Sequence, residues 1–150
     1  MPEIKNIQSN DTVKPGHTDV PREIIAEAFN NANVIVYSYS VPLKKILFVT
    51  KAVESIIGFG METVLADNIR LLKLVLPEDR AAVKDFLRSL RKGKESSAEF
   101  RIIDESGKER HLRHMGYPVE VENKLERIDG VIYDQTSEKN AYLELRKSEG

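Results

Sequence analysis

The chain has no cysteine and no tryptophan among its 150 residues. The first absence removes disulfides, thiolate metal sites, cysteine nucleophiles and covalent haem attachment through CxxCH. The second leaves five Phe and five Tyr as the whole aromatic stock. No apolar run approaches the ~20 residues needed to cross a bilayer. The opening MPEIKNIQSNDTVKPG lacks the apolar centre of a signal peptide. A cytosolic segment is the simplest expectation, and a longer parent anchored elsewhere in a membrane is compatible with it. Neither sign of charge dominates: 23 Lys and Arg face 24 Asp and Glu, a net charge of −1, with no general pull toward nucleic acid or anionic lipid. The motifs GxGxxG, GxxxxGK[ST], GxSxG and HExxH are all missing, so a standalone enzyme is the weakest of the readings weighed.

What is present suits one globular domain with a tail at each end, at 41% hydrophobic and 31% charged residues. Residues 1–20 are polar and aperiodic and read as a flexible leader. From Pro21 the spacing of Ile24, Ile25, Ala28 and Phe29 predicts a helix over 21–32, stopped by Asn30, Asn31 and Asn33. Residues 34–40 and 46–50 are β-branched and aromatic, hence two strands close enough in sequence to pair antiparallel. Short helical pieces follow at 52–57 and 61–66, broken at Gly58-Phe59-Gly60, then an apolar stretch over 68–76. Pro77-Glu78-Asp79 marks a helix start, and Ala82, Val83, Phe86, Leu87 and Leu90 carry the helix over 79–92 to Gly93. Its basic residues Lys84, Arg88, Arg91 and Lys92 interleave with acidic ones, as on a solvated face.

The most informative stretch is GKERHLRHMGYPVEVENKLERIDGVIYDQTSEK, residues 107–139. With the alternating segment 96–103 before it, it reads as three strands (96–103, 110–121 and 125–134) joined by turns at Asp104–Gly107 and Glu122–Lys124. A charged helix over 137–149 begins at once, with Thr136 or Ser137 as candidate cap. The order predicts an α+β domain whose early strand pair joins a three-strand meander in one five-stranded antiparallel sheet.

Several short motifs, in this order, resemble those of a PAS domain with its PAC segment. They are Val53–Phe59, Leu76-Pro77-Glu78-Asp79-Arg80, Glu99-Phe100-Arg101, Asp104–Gly107 with Arg110-His111-Leu112, Gly116-Tyr117-Pro118, and Gly130–Thr136 followed by Glu138-Lys139. The resemblance implies a strand order 2-1-5-4-3, a PAS domain over 21–136 and the start of a signalling helix over 137–150. It implies a sensor or dimerisation module of a bacterial-type signal-transduction protein. The output domain would lie in cis, most simply a histidine kinase of a two-component system, otherwise a diguanylate cyclase. It further implies a homodimer through the N-terminal helix and the outer sheet face, with no nucleic-acid or membrane partner for this segment.

The resemblance also directs attention to cofactors. A haem-binding PAS domain carries an axial His on the long helix, and 79–92 has none; the three histidines are His17, His111 and His114. A light-sensing flavin domain needs a cysteine, and only Phe59, Tyr37 or Phe86 would remain to stack on a flavin ring. Both cofactors are argued against, and the identity of any ligand stays unknown. His111 and His114 lie three apart on a strand, point to opposite faces and cannot share a metal. If Leu112 faces inward, so does His114, with Gly116 beside it; a one-residue slip would exchange His114 for His111. Thus His114, Phe100, Ile102, Leu112, Phe86 and Phe59 are the candidate ligand pocket, and a histidine satisfied by a local hydrogen bond is the plainer alternative. Asp134 and Thr136, at the strand-to-helix junction, can bind free N–H groups of the next helix's first turn. Together with Glu138 and Lys139 they are the candidate signal-relay residues, whether as an ordinary cap or as a coupling device built from one.

Overall fold

The computed structural model describes residues 20–60, 62–63 and 72–149. His17 with residues 1–19 of the expected leader, most of the helical piece expected at 61–66 and the first part of the stretch at 68–76 lie outside them.

Helix α1 (Arg22–Asn31) follows Pro21, whose extended ψ of 142° places it outside the helix. Asn33 ends the segment in the left-handed region, at φ 59°, a conformation Asn tolerates better than most residues. The helix buries none of its residues; Ile24, Ile25 and Phe29 stay 48%, 45% and 39% exposed. The Asn30 side chain accepts a hydrogen bond from the Lys51 N–H at 2.9 Å.

Five strands follow: β1 (Val34–Ser40), β2 (Lys45–Val49), β3 (Ser96–Ile103), β4 (Glu109–Val121) and β5 (Lys124–Asp134). They form one antiparallel sheet in the order β2-β1-β5-β4-β3. Sequence boundaries differ from these by a residue or so, the usual margin at element ends. The turn between β4 and β5 holds both Glu122 and Asn123 at positive φ, 54° and 66°, as a two-residue hairpin of matching twist requires.

Register decides which side chains share a face. Ile35, Ile132, His114 and Ala98 stand abreast on one face, with Tyr37, Gly130 and Gly116 in the next row. The other face carries Val36, Val131 and Met115 abreast, flanked by Tyr133 and Tyr117. The first face is covered by α2 (Ala52–Ile56) and α3 (Arg80–Arg91). Ile35, Val53, Ile56, Leu90 and Leu112 are almost wholly buried between these layers. Each such side chain stabilises the fold by ~1.5–3 kcal/mol relative to exposure.

Two helix ends are fixed by contacts to other elements, and the second falls at the Gly58 break that the sequence predicts. A 3-10 turn (Pro77–Asp79) precedes α3, and Asp79 makes no cap bond to the helix. Its carboxylate accepts instead from the backbone N–H of Arg101 at 2.8 Å and from that residue's Nε and Nη2, both at 2.9 Å. A bidentate Arg outcompetes the helix N–H groups, so the start of α3 is clamped to β3. At the end of α2, Gly58 has φ 106°, and a Cβ there would stand 2.4 Å from the Glu105 Cβ. The β3–β4 turn presses directly on this point, and the Glu105 N–H donates to the Ile57 carbonyl at 2.9 Å.

Candidate functional site

Between the sheet and its covering helices lies a cavity of about 380 Å³. Its sheet wall includes Ile35, Tyr37, Phe100, Ile102, Leu112, His114 and Ile132; α2 and α3 contribute Val53, Val83, Leu87 and Leu90. The alternation of β4 that makes Leu112 inward carries His114 and Gly116 inward with it, which settles the register. His111 lies on the opposite face, with its Nε2 3.5 Å from the Glu109 carboxylate. Of the candidate pocket residues, His114, Phe100, Ile102 and Leu112 line the cavity. Phe86 does not; its ring packs behind His114 at 4.6 Å between centroids. Phe59 is buried in the adjoining core and also stands outside the lining.

The polar centre of the cavity is a pair not visible in the sequence. The Tyr37 hydroxyl lies 2.7 Å from His114 Nε2. Tyr37 is on β1 and His114 on β4, with β5 between them. The Tyr37 ring crosses β5 over Gly130, where a Cβ would stand 2.2 Å from the ring. Gly130 pairs in register with Gly116, and Leu90 of α3 rests on Gly116 in the same way, 2.6 Å from a notional Cβ. Two facing glycines therefore make a bare patch on the inner face that receives one aromatic ring and one aliphatic side chain. Burial pushes the His114 imidazole down to about 4. Burial, and secondarily the Asp129 charge, pushes the Tyr37 phenol above its ordinary range. Both groups are neutral at neutral pH.

The second candidate region is the end of the sheet, where β5 passes into α4 (Thr136–Glu149). The Asp134 Oδ1 accepts from the Thr136 N–H at 3.0 Å and from the Thr136 hydroxyl at 2.5 Å. The Thr136 Oγ1 in turn accepts from the His111 N–H at 2.9 Å, and the Gln135 N–H donates to the His111 carbonyl at 2.8 Å. Asp134 thus caps the first turn as expected. Thr136 does not: its hydroxyl faces back to β4, because the β4 backbone at His111 offers an N–H with no ladder partner.

Arg110, not anticipated, bridges this junction. Its Nη1 donates to the other Asp134 oxygen at 2.7 Å and its Nε to Asp104 at 2.8 Å. Asp104 also accepts from the N–H groups of Ser106 and Lys108 and from the Ser106 hydroxyl, at 2.7 to 2.9 Å. Burial alone would raise the Asp104 carboxyl, but the hydrogen bonds from Ser106 and Arg110 outweigh it and hold the group well below the carboxylate range. Burial likewise opposes, and Thr136 and Arg110 override, at Asp134, which is also lowered. The Lys139 ammonium pairs with Glu99 at 3.4 Å, and Glu99 also receives Arg113 at 2.9 Å. Glu138 borders a surface cleft with Asn33, Arg113 and Gln135. The relay candidates Asp134, Thr136 and Lys139 therefore share one junction with β3 and β4. A hint of Arg110 was present in the sequence: an Asp opening a turn, with an Arg six residues on and Asp134 expected on the neighbouring strand.

A five-stranded antiparallel sheet in this order, with helices covering one face over a ligand-sized cavity, defines a recognisable class of α+β domain. The family model described as PAS fold matches residues 46–132, more than half of the chain, and the chain belongs to that family. Solved structures agree. The N-terminal domain of a diguanylate cyclase with PAS/PAC sensor from Marinobacter aquaeolei is 16% identical, with a TM-score of 0.64, over 71% of this chain and 98% of that one. A domain of a putative light and redox sensing histidine kinase from Haloarcula marismortui is 24% identical, TM-score 0.61, over 75% and 98%. A sensory box histidine kinase/response regulator from Burkholderia thailandensis is 21% identical, TM-score 0.63, over 83% and 94%. At these identities the likeness speaks to fold. No curated protein matches the chain. Among the described residues, no helix is long and apolar enough to cross a membrane.

Proposed function

We propose that this chain is a non-catalytic sensor and dimerisation module of a larger signal-transduction protein. It passes a conformational change through α4 to an output domain in cis, a histidine kinase or, failing that, a diguanylate cyclase. The observation that carries this reading is the Asp134–Arg110–Thr136 junction. It ties the first turn of α4 to the sheet end and to the β3–β4 turn, which itself presses on α2 beside the cavity. A shift in the sheet or in α2 therefore has a short bonded route to the helix. Dimerisation is supported by the exposed Ile24, Ile25 and Phe29 of α1 and by the half-buried apolar band Val36, Met115 and Val131 on the sheet face opposite α2 and α3. The direct test is Asp134→Ala in the full-length parent. With the fold intact by circular dichroism, output should lose its response to the input; an unchanged response overturns the relay.

A second reading, that the cavity near His114 binds a small molecule, is favoured by its volume and lining. For haem the axial donor does not fit, since His114, the cavity's one lining histidine among the described residues, is engaged by Tyr37. For flavin the absence of cysteine excludes the light-driven adduct and leaves only non-covalent binding. An absorption spectrum of the purified protein tests this directly, since either cofactor would colour it.

A further inference from the structure

We propose that the cavity takes an uncharged, largely apolar ligand of one or two rings with a single hydrogen-bonding group seated on the Tyr37–His114 pair, and that it refuses ionised ligands of the same shape. This rests on the reading of the cavity as a ligand site and specifies its chemistry.

The first argument is the inventory of charge. No Asp, Glu or Lys lines the cavity among the described residues. Arg91 does, but it belongs to the exposed last turn of α3, so it stands at the mouth. An ionised ligand group at the depth of Tyr37 and His114 would be buried with no counter-ion among the described residues, at a cost that binding rarely recovers. An uncharged ligand loses little water of hydration and gains apolar contacts on every side.

The second argument is the polar pair at the cavity's centre; Tyr39, on the same face of β1, and Arg91 are the other polar side chains in the lining among the described residues. Tyr37 and His114 bond to each other, yet a hydroxyl has one donor and two acceptor sites, and a single bond leaves capacity for one more. If Tyr37 donates to His114, its oxygen still accepts; if it accepts, its O–H is free to donate. The pair can therefore meet a ligand amide, carbonyl or hydroxyl. Its place is set by packing: the Tyr37 ring is seated over Gly130, and His114 is held among Tyr37, Phe86 and Phe100 at centroid separations of 5.5, 4.6 and 6.2 Å. The neutrality of both groups accords with the same picture.

The third argument is size. A volume of about 380 Å³ falls at the small end of the ~300–1,000 Å³ of ligand pockets. That suits a compact ring system and excludes long chains.

The test is a nuclear magnetic resonance titration of the ¹⁵N-labelled chain with benzene, benzamide, benzoate and benzylammonium. Benzene and benzamide should shift the amides of Phe100, His114 and Ile132 and the His114 ring nitrogens. Benzamide should bind at least about tenfold more tightly than benzoate or benzylammonium, the scale set by one buried unpaired charge or hydrogen bond. In Tyr37→Phe, benzamide should weaken about tenfold while benzene stays within about twofold, since only the hydroxyl is removed. Benzoate binding as tightly as benzamide, or shifting only residues around Arg91, overturns the charge selection while leaving the cavity a ligand site. Tyr37→Phe leaving benzamide unchanged overturns the role of the pair. If neither benzene nor benzamide moves the cavity signals, the ligand-site reading itself fails.

Discussion

Tyr37 reaches His114 across an entire strand: β5 runs between their own strands, and the ring passes because Gly130 lies beneath it. The 2.7 Å bond is thus as much a property of Gly130 as of the two residues that make it. Replacing Gly130 by Ala should relieve backbone entropy by ~0.5–1 kcal/mol, but a Cβ 2.2 Å from the Tyr37 ring must displace it. Overpacking of this kind costs ~1–3 kcal/mol, so the net effect is destabilising. Urea denaturation should show a lower midpoint, and the His114 ring nitrogens should change shift as the bond is lost. A midpoint equal to or above the parent's would contradict this geometry.

At the sheet end, Asp134→Ala removes a helix cap worth ~1 kcal/mol and one of the two carboxylates held by Arg110. The combined loss should be about 1–3 kcal/mol. Hydrogen exchange should quicken first at the amides of residues 136–139. Asp134→Asn keeps an acceptor oxygen for the Thr136 N–H and should slow that exchange relative to the Ala variant. Equal protection in all three proteins would remove the cap from the account.

Lys139 and Glu99 offer the contrast. Their side chains are 43% and 46% exposed at a separation of 3.4 Å. Solvent screens such a pair, and its contribution is typically ~0–1 kcal/mol. Lys139→Ala should therefore leave the urea midpoint nearly unchanged, with the difference vanishing at high salt. A loss matching that of Asp134→Ala would mean the junction is held from its far side.

Stability should depend on pH in two separable windows. His114 titrates at about 4 in the fold against an ordinary 6.5. Between these values the unfolded chain binds more protons than the folded one, so stability falls as pH falls, by at most ~1.4 kcal/mol per unit. Asp104 and Asp134 are lowered from 3.8, so their contribution is present above that value and is lost as pH drops further. Denaturation midpoints measured from pH 7 to 2 should decline in both windows. His114→Gln should flatten the upper limb alone, and Asp104→Asn the lower. An upper limb that survives His114→Gln would assign it to another group.

Local patterns in the sequence indicated much of this architecture. The alternation puts Leu112, His114 and Gly116 on one face of β4 but leaves open which face is inward, which the strand pairing decides; the Pro77 and Gly93 boundaries frame the long helix. That the early pair joins the meander follows from element order; the strand order itself comes only through family resemblance, because pairing between β1 and β5 joins segments nearly a hundred residues apart. The site was less legible for the same reason. Tyr37 and His114 are 77 positions apart, and nothing near either announces the other. Arg110 stands in the sequence only as part of a family-like motif, because its bonds to both Asp104 and Asp134 depend on how two strands and a turn converge. Thr136 was read as a cap because hydroxyls at that position usually are; the free N–H of His111 on the neighbouring strand drew it elsewhere.

The grip on α4 is confined to its first turn, through Asp134, Gln135, Thr136 and Lys139. From Asn140 through Ser148 every residue is exposed, including Tyr142, Leu143 and Leu145. Mechanically, the helix is a cantilever among the described residues: clamped at its root, unsupported along its span. A rotation of a few degrees at the clamp becomes a displacement that grows by about 1.5 Å of arm for each residue of helix. The bonds that make the clamp all lie at or before Lys139, so they set no requirement on the residues that follow it.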